Sequence, residues 1–478
     1  MNREFELTQM DYQRFRDLVL ERSGLHFSAD KRQALRRGLA EALGASVCTS
    51  LDEYYELLRT SPSAHREWDR VISALTVGET YFLRNKGHFD ALAKHILPEI
   101  VARREHSSRR IRIWSAGCAT GEEPYSVAIT LRELIPNLES WNILILATDI
   151  NRDALRRARE GLYGAWSFRG VEKRIQDRYF RLNGRKRFAV ADEIKRMVTF
   201  DYLNLVEDRY PSLANNTNGM DVILCRNVTI YFTPEVTQEV LGKFHNCLTD
   251  GGWLVPGASE PNMVFYRDFQ PRNFPGAVLY QKPTVAQAKA RPAPVFRPQP
   301  HAFGPLSPVA KAPKPKPFAR VPDVKKEQKP PPPDPYQMAL ALLQAGQVDE
   351  ALVKLYEKLD QDPDFAPTYY TLGKIYANKG NLEEAQHWCE RAIKKDKLHP
   401  EPYYTLSMIY QQHGMLGEAT NALKKTIYLD REFVLAHYNL AQLYQQSGNE
   451  RLARKSLQNV QRLLKDKPVH EPVPEGDG

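Results

Sequence analysis

The sequence predicts a multidomain chain: a small all-α N-terminal domain, an α/β domain of the nucleotide-binding (Rossmann-like) class, a Pro-rich linker and an all-α repeat array. Three observations lead there. Apolar residues recur at helical spacing over the first 75 positions. A strand, a Gly turn, a helix and a second strand ending in an acid follow after Arg110. One pattern then repeats every 34 residues near the C-terminus.

In the first segment, Phe15, Leu18 and Val19, then Leu35, Leu39 and Leu43, then Leu51, Tyr54, Tyr55 and Leu58 sit three and four apart. This places a helical domain over residues 1–85. Its helix from Asp30 to Leu43 carries Lys31, Arg32, Arg36 and Arg37, either as a solvated face or as a dock for an acidic helix.

The α/β pattern covers residues 86–283. Arg110–Ser115 reads as a strand, and Gly117 and Gly121 bracket the turn that leaves it. Glu122 and Glu123 suit a helix N-terminus, and Pro124 suits its first turn. Asn142–Thr148 is the second strand, ended by Asp149, an acid placed to accept hydrogen bonds from ribose hydroxyls. The loop is not Gly-x-Gly-x-x-Gly, and its two carboxylates would repel a pyrophosphate. A cationic, phosphate-free nucleoside such as S-adenosylmethionine suits it better than NAD or ATP. Asp221–Cys225 is a buried parallel strand that delivers Arg226, Asn227 and Tyr231 to the same edge.

Charge sharpens the partner classes. The chain has a formal excess of +9, but the segment 282–335 holds 16 of the 33 prolines and eleven Lys/Arg against three acids. Residues 284–335 are therefore expected to be a solvated, disordered linker. Removing that charge leaves little basis for nucleic-acid binding. No apolar run of about 18 residues exists, so membrane insertion is not expected. Five scattered cysteines suit reduced thiols in a cytoplasm and no metal site.

Residues 336–468 hold four copies of the repeat, with residues 469–478 a disordered tail. Tyr370, Leu372, Gly373 and Tyr376 recur as Tyr404, Leu406, Ser407 and Tyr410, and as Tyr438, Leu440, Ala441 and Tyr444. Gly380, Gly414 and Gly448 hold register, as do Ala385, Ala419 and Ala453. The pattern resembles the tetratricopeptide repeat, which implies stacked helix pairs with a concave protein- or peptide-binding face. Asn378, Gln411, Gln412 and Asn439 are polar candidates for that face.

The motifs of the first 283 residues resemble a family. Thr80-Tyr81-Phe82-Leu83-Arg84, Thr120–Ser126, Ala147-Thr148-Asp149, Asn204-Leu205 and Cys225–Phe232 are similar, in words and order, to the motif series of the CheR-type chemotaxis receptor methyltransferases. The resemblance implies a class I methyltransferase domain with a mixed seven-stranded sheet and a small β insertion, at about 170–196 here. It implies transfer from S-adenosyl-L-methionine, with S-adenosyl-L-homocysteine as product, to glutamates on receptor helices. It also implies a cytoplasmic protein that works at membrane receptor arrays. The cofactor set carried over is Thr80, Arg84, Gly117, Glu123, Asp149, Asn204, Leu205, Arg226 and Asn227. Arg84 and Tyr231 border the reacting centre, Glu123 faces the cofactor's positive end, and Asn204 and Leu205 flank adenine. Two departures stand out. Gly78 replaces a frequent Asn, and the insertion's loop looks short, which argues against dependence on a receptor's C-terminal pentapeptide. The alternative is a non-catalytic methyltransferase-like scaffold whose repeats do the work.

Overall fold

The computed structural model describes residues 6–61, 64–184, 186–284, 287 and 334–465. Most of the expected linker and all of the expected tail lie outside them. Contacts divide the chain into one unit of residues 1–283 and 364–478 and a second of residues 284–363.

The larger unit opens with four helices, α1 (Gln9–Ser23), α2 (Arg32–Gly44), α3 (Leu51–Thr60) and α4 (His65–Leu75). A capping box starts α1: the Thr8 hydroxyl accepts from the Asp11 amide, and the Asp11 carboxylate accepts from the Thr8 amide. Phe15, Val19, Leu35, Leu39, Tyr54 and Leu58 are buried together, each contributing about 1.5–3 kcal/mol by leaving water. Partly buried Ile150 and Tyr231, from the next domain, pack on this same cluster. The helical domain is thereby seated against the loops after β2 and β7.

Helices α5 (Lys86–Ala91) and α6 (Leu97–Arg104) join through a π-helical turn at Leu92–Ile96. There follow β1 (Arg110–Ala116), α7 (Glu122–Leu134), β2 (Asn142–Asp149) and α8 (Arg152–Glu160). A small antiparallel sheet comes next, from β3 (Leu162–Gly164), β4 (Phe180–Asn183) and β5 (Arg187–Val190), with α9 (Lys173–Tyr179) between β3 and β4. The insertion thus recruits a strand upstream of Gly170. After α10 (Asp192–Lys195) come β6 (Val198–Tyr202), β7 (Met220–Cys225), α11 (Pro234–Cys247), β8 (Leu248–Pro256), β9 (Gln270–Phe274) and β10 (Ala277–Gln281).

The main sheet has seven strands in the order β6-β2-β1-β7-β8-β10-β9. The first five are parallel, and β10 runs antiparallel to both neighbours. Every residue of β7 is buried, as expected for a central strand covered on both faces. Along β1, Ile111 and Ile113 enter one core while Trp114 and Ala116 enter the other. All parallel strands therefore present their carboxyl ends at one edge.

Residues 364–465 form three helix pairs: Ala366–Asn378 with Leu382–Lys395, Pro400–Gln412 with Leu416–Leu429, and Val434–Gln446 with Glu450–Lys465. Gly380, Gly414 and Gly448 turn between partners at φ of 78°, 74° and 74°, a region that favours glycine. Ala385, Ala419 and Ala453 are buried at the helix crossings. In the second unit, Pro335–Gln344 and Val348–Gln361 form a hairpin of the same design, with Gly346 at its turn and Ala351 buried.

Candidate active site

The carboxyl ends of β1, β2 and β7 bring most of the motif residues together. Gly117 follows β1 at φ 79°, and a Cβ there would lie 2.3 Å from Val228 Cγ2. The turn therefore needs glycine both for its backbone and for its contact with the loop after β7. The amides of Gly117 and Cys118 donate to the Thr148 carbonyl at 2.8 and 2.9 Å, and this stitches the Gly loop to the end of β2. Asp149 Oδ2 accepts from the Ala119 amide at 2.8 Å, and Oδ1 accepts from the Asn151 amide at 2.8 Å. Burial raises the Asp149 pKa, while these backbone donors oppose the rise.

The two acids at the start of α7 point to different partners. Glu122 is buried and accepts from the Thr120 and Ser167 hydroxyls, at 2.7 and 3.1 Å. Desolvation raises its pKa. Glu123 accepts from Ser115 Oγ at 2.7 Å and pairs with Arg226 at 2.9 Å. Arg226 Nη2 also donates to the Arg84 carbonyl at 2.6 Å and to Asn85 Oδ1 at 2.7 Å. One guanidinium thus ties the start of α7 to the loops before α5 and after β7. His88 is buried behind it. Desolvation, aided by the Arg226 charge, lowers the His88 pKa to about 4.

Arg84 donates to the Glu79 carbonyl at 2.6 Å, and its charge lowers the pKa of Tyr231 against a larger rise from burial. Thr80, Arg84 and Tyr231 are all part-exposed. Tyr231 also offers its carbonyl to the His26 amide at 2.8 Å, so the helical domain helps hold the turn. Four of the six described non-glycine residues at positive φ lie in these loops: Leu83, Asn85, Ala119 and Asn227. Such clustering of unfavourable backbone marks loops held by their surroundings.

Asn204 and Leu205 follow the end of β6. Asn204 is buried, and its Nδ2 donates to the Arg22 carbonyl of α1 at 2.7 Å while Oδ1 accepts from the Val206 amide at 3.0 Å. Leu205 is buried in the core beneath the sheet, and its carbonyl accepts from the Tyr210 hydroxyl at 2.7 Å.

Sequence reasoning missed Glu260. Its Oε1 accepts from the amides of Val228 and Thr229 and from Thr229 Oγ1, at 3.0, 2.9 and 2.8 Å. Its Oε2 accepts from the amides of Asn227 and Gly257, at 2.8 and 2.5 Å. One buried carboxylate therefore shapes the turn that carries Asn227 to Tyr231. The available signal was an acid just past the end of β8, at the edge where the other site residues lie.

Comparison with known proteins shows what the chain is similar to. The all-alpha domain of CheR methyltransferases matches residues 10–76, and the SAM-binding domain of CheR methyltransferases matches residues 78–273. Tetratricopeptide repeat families match residues 342–409 and 400–433. "Chemotaxis protein methyltransferase 2" of Vibrio cholerae is 33% identical over 280 residues, 59% of this chain and 95% of that protein. "Chemotaxis protein methyltransferase 1" of Pseudomonas aeruginosa is 33% identical over 255 residues, 52% of this chain and 89% of that protein. The "Chemotaxis protein methyltransferase" of Salmonella typhimurium is 32% identical over 275 residues, 57% of this chain and 91% of that protein. With both of its CheR domains matched and nearly the full length of such relatives covered, the chain belongs to the CheR chemotaxis methyltransferase family and carries C-terminal tetratricopeptide repeats.

Proposed function

We propose that this S-adenosylmethionine-dependent methyltransferase esterifies glutamate side chains on the helices of a chemoreceptor-like protein, forming glutamate 5-O-methyl esters. The observation that carries this reading is the convergence of Arg84, Glu123, Asp149, Arg226, Asn227 and Tyr231 at one sheet edge, beside a Gly loop that bears acids instead of phosphate-binding groups.

The residues suit the cofactor. Each Asp149 oxygen accepts one backbone N–H and keeps capacity for another hydrogen bond, which supports a role in holding ribose hydroxyls. Gly117 keeps the floor of the site free of a side chain. Glu123 would supply negative charge toward the cofactor's positive end, and Arg226 fixes where that charge stands. Thr80 and Asn227 border the same space. Asn204 and Leu205 would flank the adenine, with Asn204 also braced to α1 through the Arg22 carbonyl.

S-adenosylmethionine supplies an electrophilic methyl group to the incoming glutamate. That glutamate, with an ordinary pKa near 4.3, is already ionised at neutral pH, so the protein need not remove a proton. Its task is alignment and exclusion of water. Arg84 and Tyr231 orient the carboxylate: the guanidinium supplies charge-assisted donors and the phenol one neutral donor. Burial raises the Tyr231 pKa, which keeps that phenol protonated. The tetratricopeptide repeats contribute protein partner binding, and the site of action is the cytoplasmic side of receptor arrays.

Mass spectrometry of receptor peptides after incubation with the protein and S-adenosylmethionine tests this. The expected product is one added methyl per modified glutamate, lost in mild alkali. Methylation confined to lysine, arginine or nucleic acid would replace this reading.

A further inference from the structure

The inter-helix turns of the second and third repeats meet the edge of the sheet opposite the candidate site. Leu213, in the loop before β7, is buried in a cluster otherwise made of repeat residues, among them Ala377, Leu382, Leu406 and Ile409. Its amide donates to Asn378 Oδ1 at 2.8 Å. Asn218 donates to the Ala377 carbonyl at 3.1 Å and accepts from Gln412 Nε2 at 3.1 Å. Gln412 is buried, and it also accepts from Arg110 at its side-chain oxygen, 3.2 Å, and from Asn142 at its carbonyl, 2.9 Å.

The receiving loop is built for this. Buried Arg112 donates to the carbonyls of Asn216 and Asn218, at 2.7 and 3.0 Å, and so holds the loop from below. Gly380 and Gly219 approach backbone to backbone: a Cβ on Gly380 would lie 2.7 Å from Gly219 Cα. Arg110 and Asn142 are the first residues of β1 and β2. Seven residues of β1, at about 3.3 Å each, put roughly 20 Å between this contact and the Gly loop.

We infer that the turns of repeats two and three are an intramolecular docking surface for the segment Ser212–Met220 of this chain's own catalytic domain. Repeats two to four form a fixed arm on the amino edge of the sheet and leave the carboxyl edge open to substrate. Two consequences follow. Asn378 and Gln412 are spent on this dock and do not serve the partner-binding face. The arm recruits without covering the site, so undocking it does not release a blocked enzyme.

The test uses the full chain with Leu213→Asp, which places a charge in the apolar cluster, and separately Asn378→Ala with Gln412→Ala, which removes the repeats' side-chain hydrogen bonds to the loop and to Arg110 and leaves the two made by backbone carbonyls. Small-angle scattering should show a larger radius of gyration. Amide hydrogen exchange over residues 212–220 should accelerate at least about tenfold, the equivalent of about 1.4 kcal/mol, with helical circular dichroism unchanged. The initial methyl-transfer rate should stay within about twofold of wild type, a readout that rests on the proposed reaction. Unchanged scattering and exchange in both variants would overturn the dock. A several-fold rise in transfer rate would overturn the open-arm reading and make the repeats inhibitory. If the wild-type chain transfers no methyl group, the proposed reaction fails while scattering and exchange still decide the dock.

Discussion

Replacing Glu260 with glutamine keeps the side chain's shape and removes one of its two acceptor ends. The five donors around the carboxylate divide three to Oε1 and two to Oε2. In the better amide orientation the oxygen keeps Val228 and Thr229, and the NH₂ group faces the amides of Asn227 and Gly257. Two buried donors are then unsatisfied, at about 1–3 kcal/mol each. The turn should lose about 2–6 kcal/mol of local stability, a large share of the ~5–15 kcal/mol of a typical domain. The chain has several domains and need not unfold in one step, so local exchange is the proper assay. Amide exchange at residues 227–229 should accelerate by roughly thirtyfold or more, the lower bound set by about 2 kcal/mol. Affinity for S-adenosylhomocysteine and the transfer rate should fall with it. Acceleration below about threefold, with both activities intact, would refute the argument that one carboxylate holds this turn.

Three further outcomes follow from the same geometry. Arg226→Lys keeps the charge and loses the fork that reaches Glu123, Arg84 and Asn85; losing one charge-assisted bond, about 1.5–3 kcal/mol, should lower kcat/KM by roughly 10- to 150-fold. Gly78→Asn should fold normally, because the nearest atom to an added Cβ is Ala119 Cβ at 4.0 Å, and calorimetry should find S-adenosylhomocysteine bound more tightly by one hydrogen bond, about 0.5–1.5 kcal/mol. Because the folded-state pKa of His88 is held down to about 4, the unfolded chain takes up its proton first as pH falls below about 6.5. His88 should therefore destabilise the fold progressively from near pH 6.5 down to about 4, and urea unfolding of His88→Leu should show a smaller loss than wild type over that window.

How far these features could be read from sequence depended on their range along the chain. The Gly turn, the acid ending β2 and the 34-residue period are local, and they fixed the fold class and the edge where chemistry collects. Long-range pairings left no local trace. The Glu123–Arg226 ion pair spans 103 positions. The bond from Asn204 to the Arg22 carbonyl spans 182, and it braces the loop after β6 to α1. Gln412 and Asn378 look like surface polar residues at the ends of repeat helices. Their hydrogen bonds to the catalytic domain answer to the tertiary fold alone. Glu260 was hidden because its partners are backbone amides, which any sequence supplies.

The most direct test of methyl-ester formation is transfer of labelled methyl groups from S-adenosylmethionine to receptor-containing membranes, read as methanol released by mild alkali. The account predicts alkali-labile release by the wild-type chain and its loss in Arg84→Ala with S-adenosylhomocysteine binding retained at least in part. No release from membranes that a known receptor methyltransferase modifies, with the cofactor product bound normally, would contradict it and favour the scaffold.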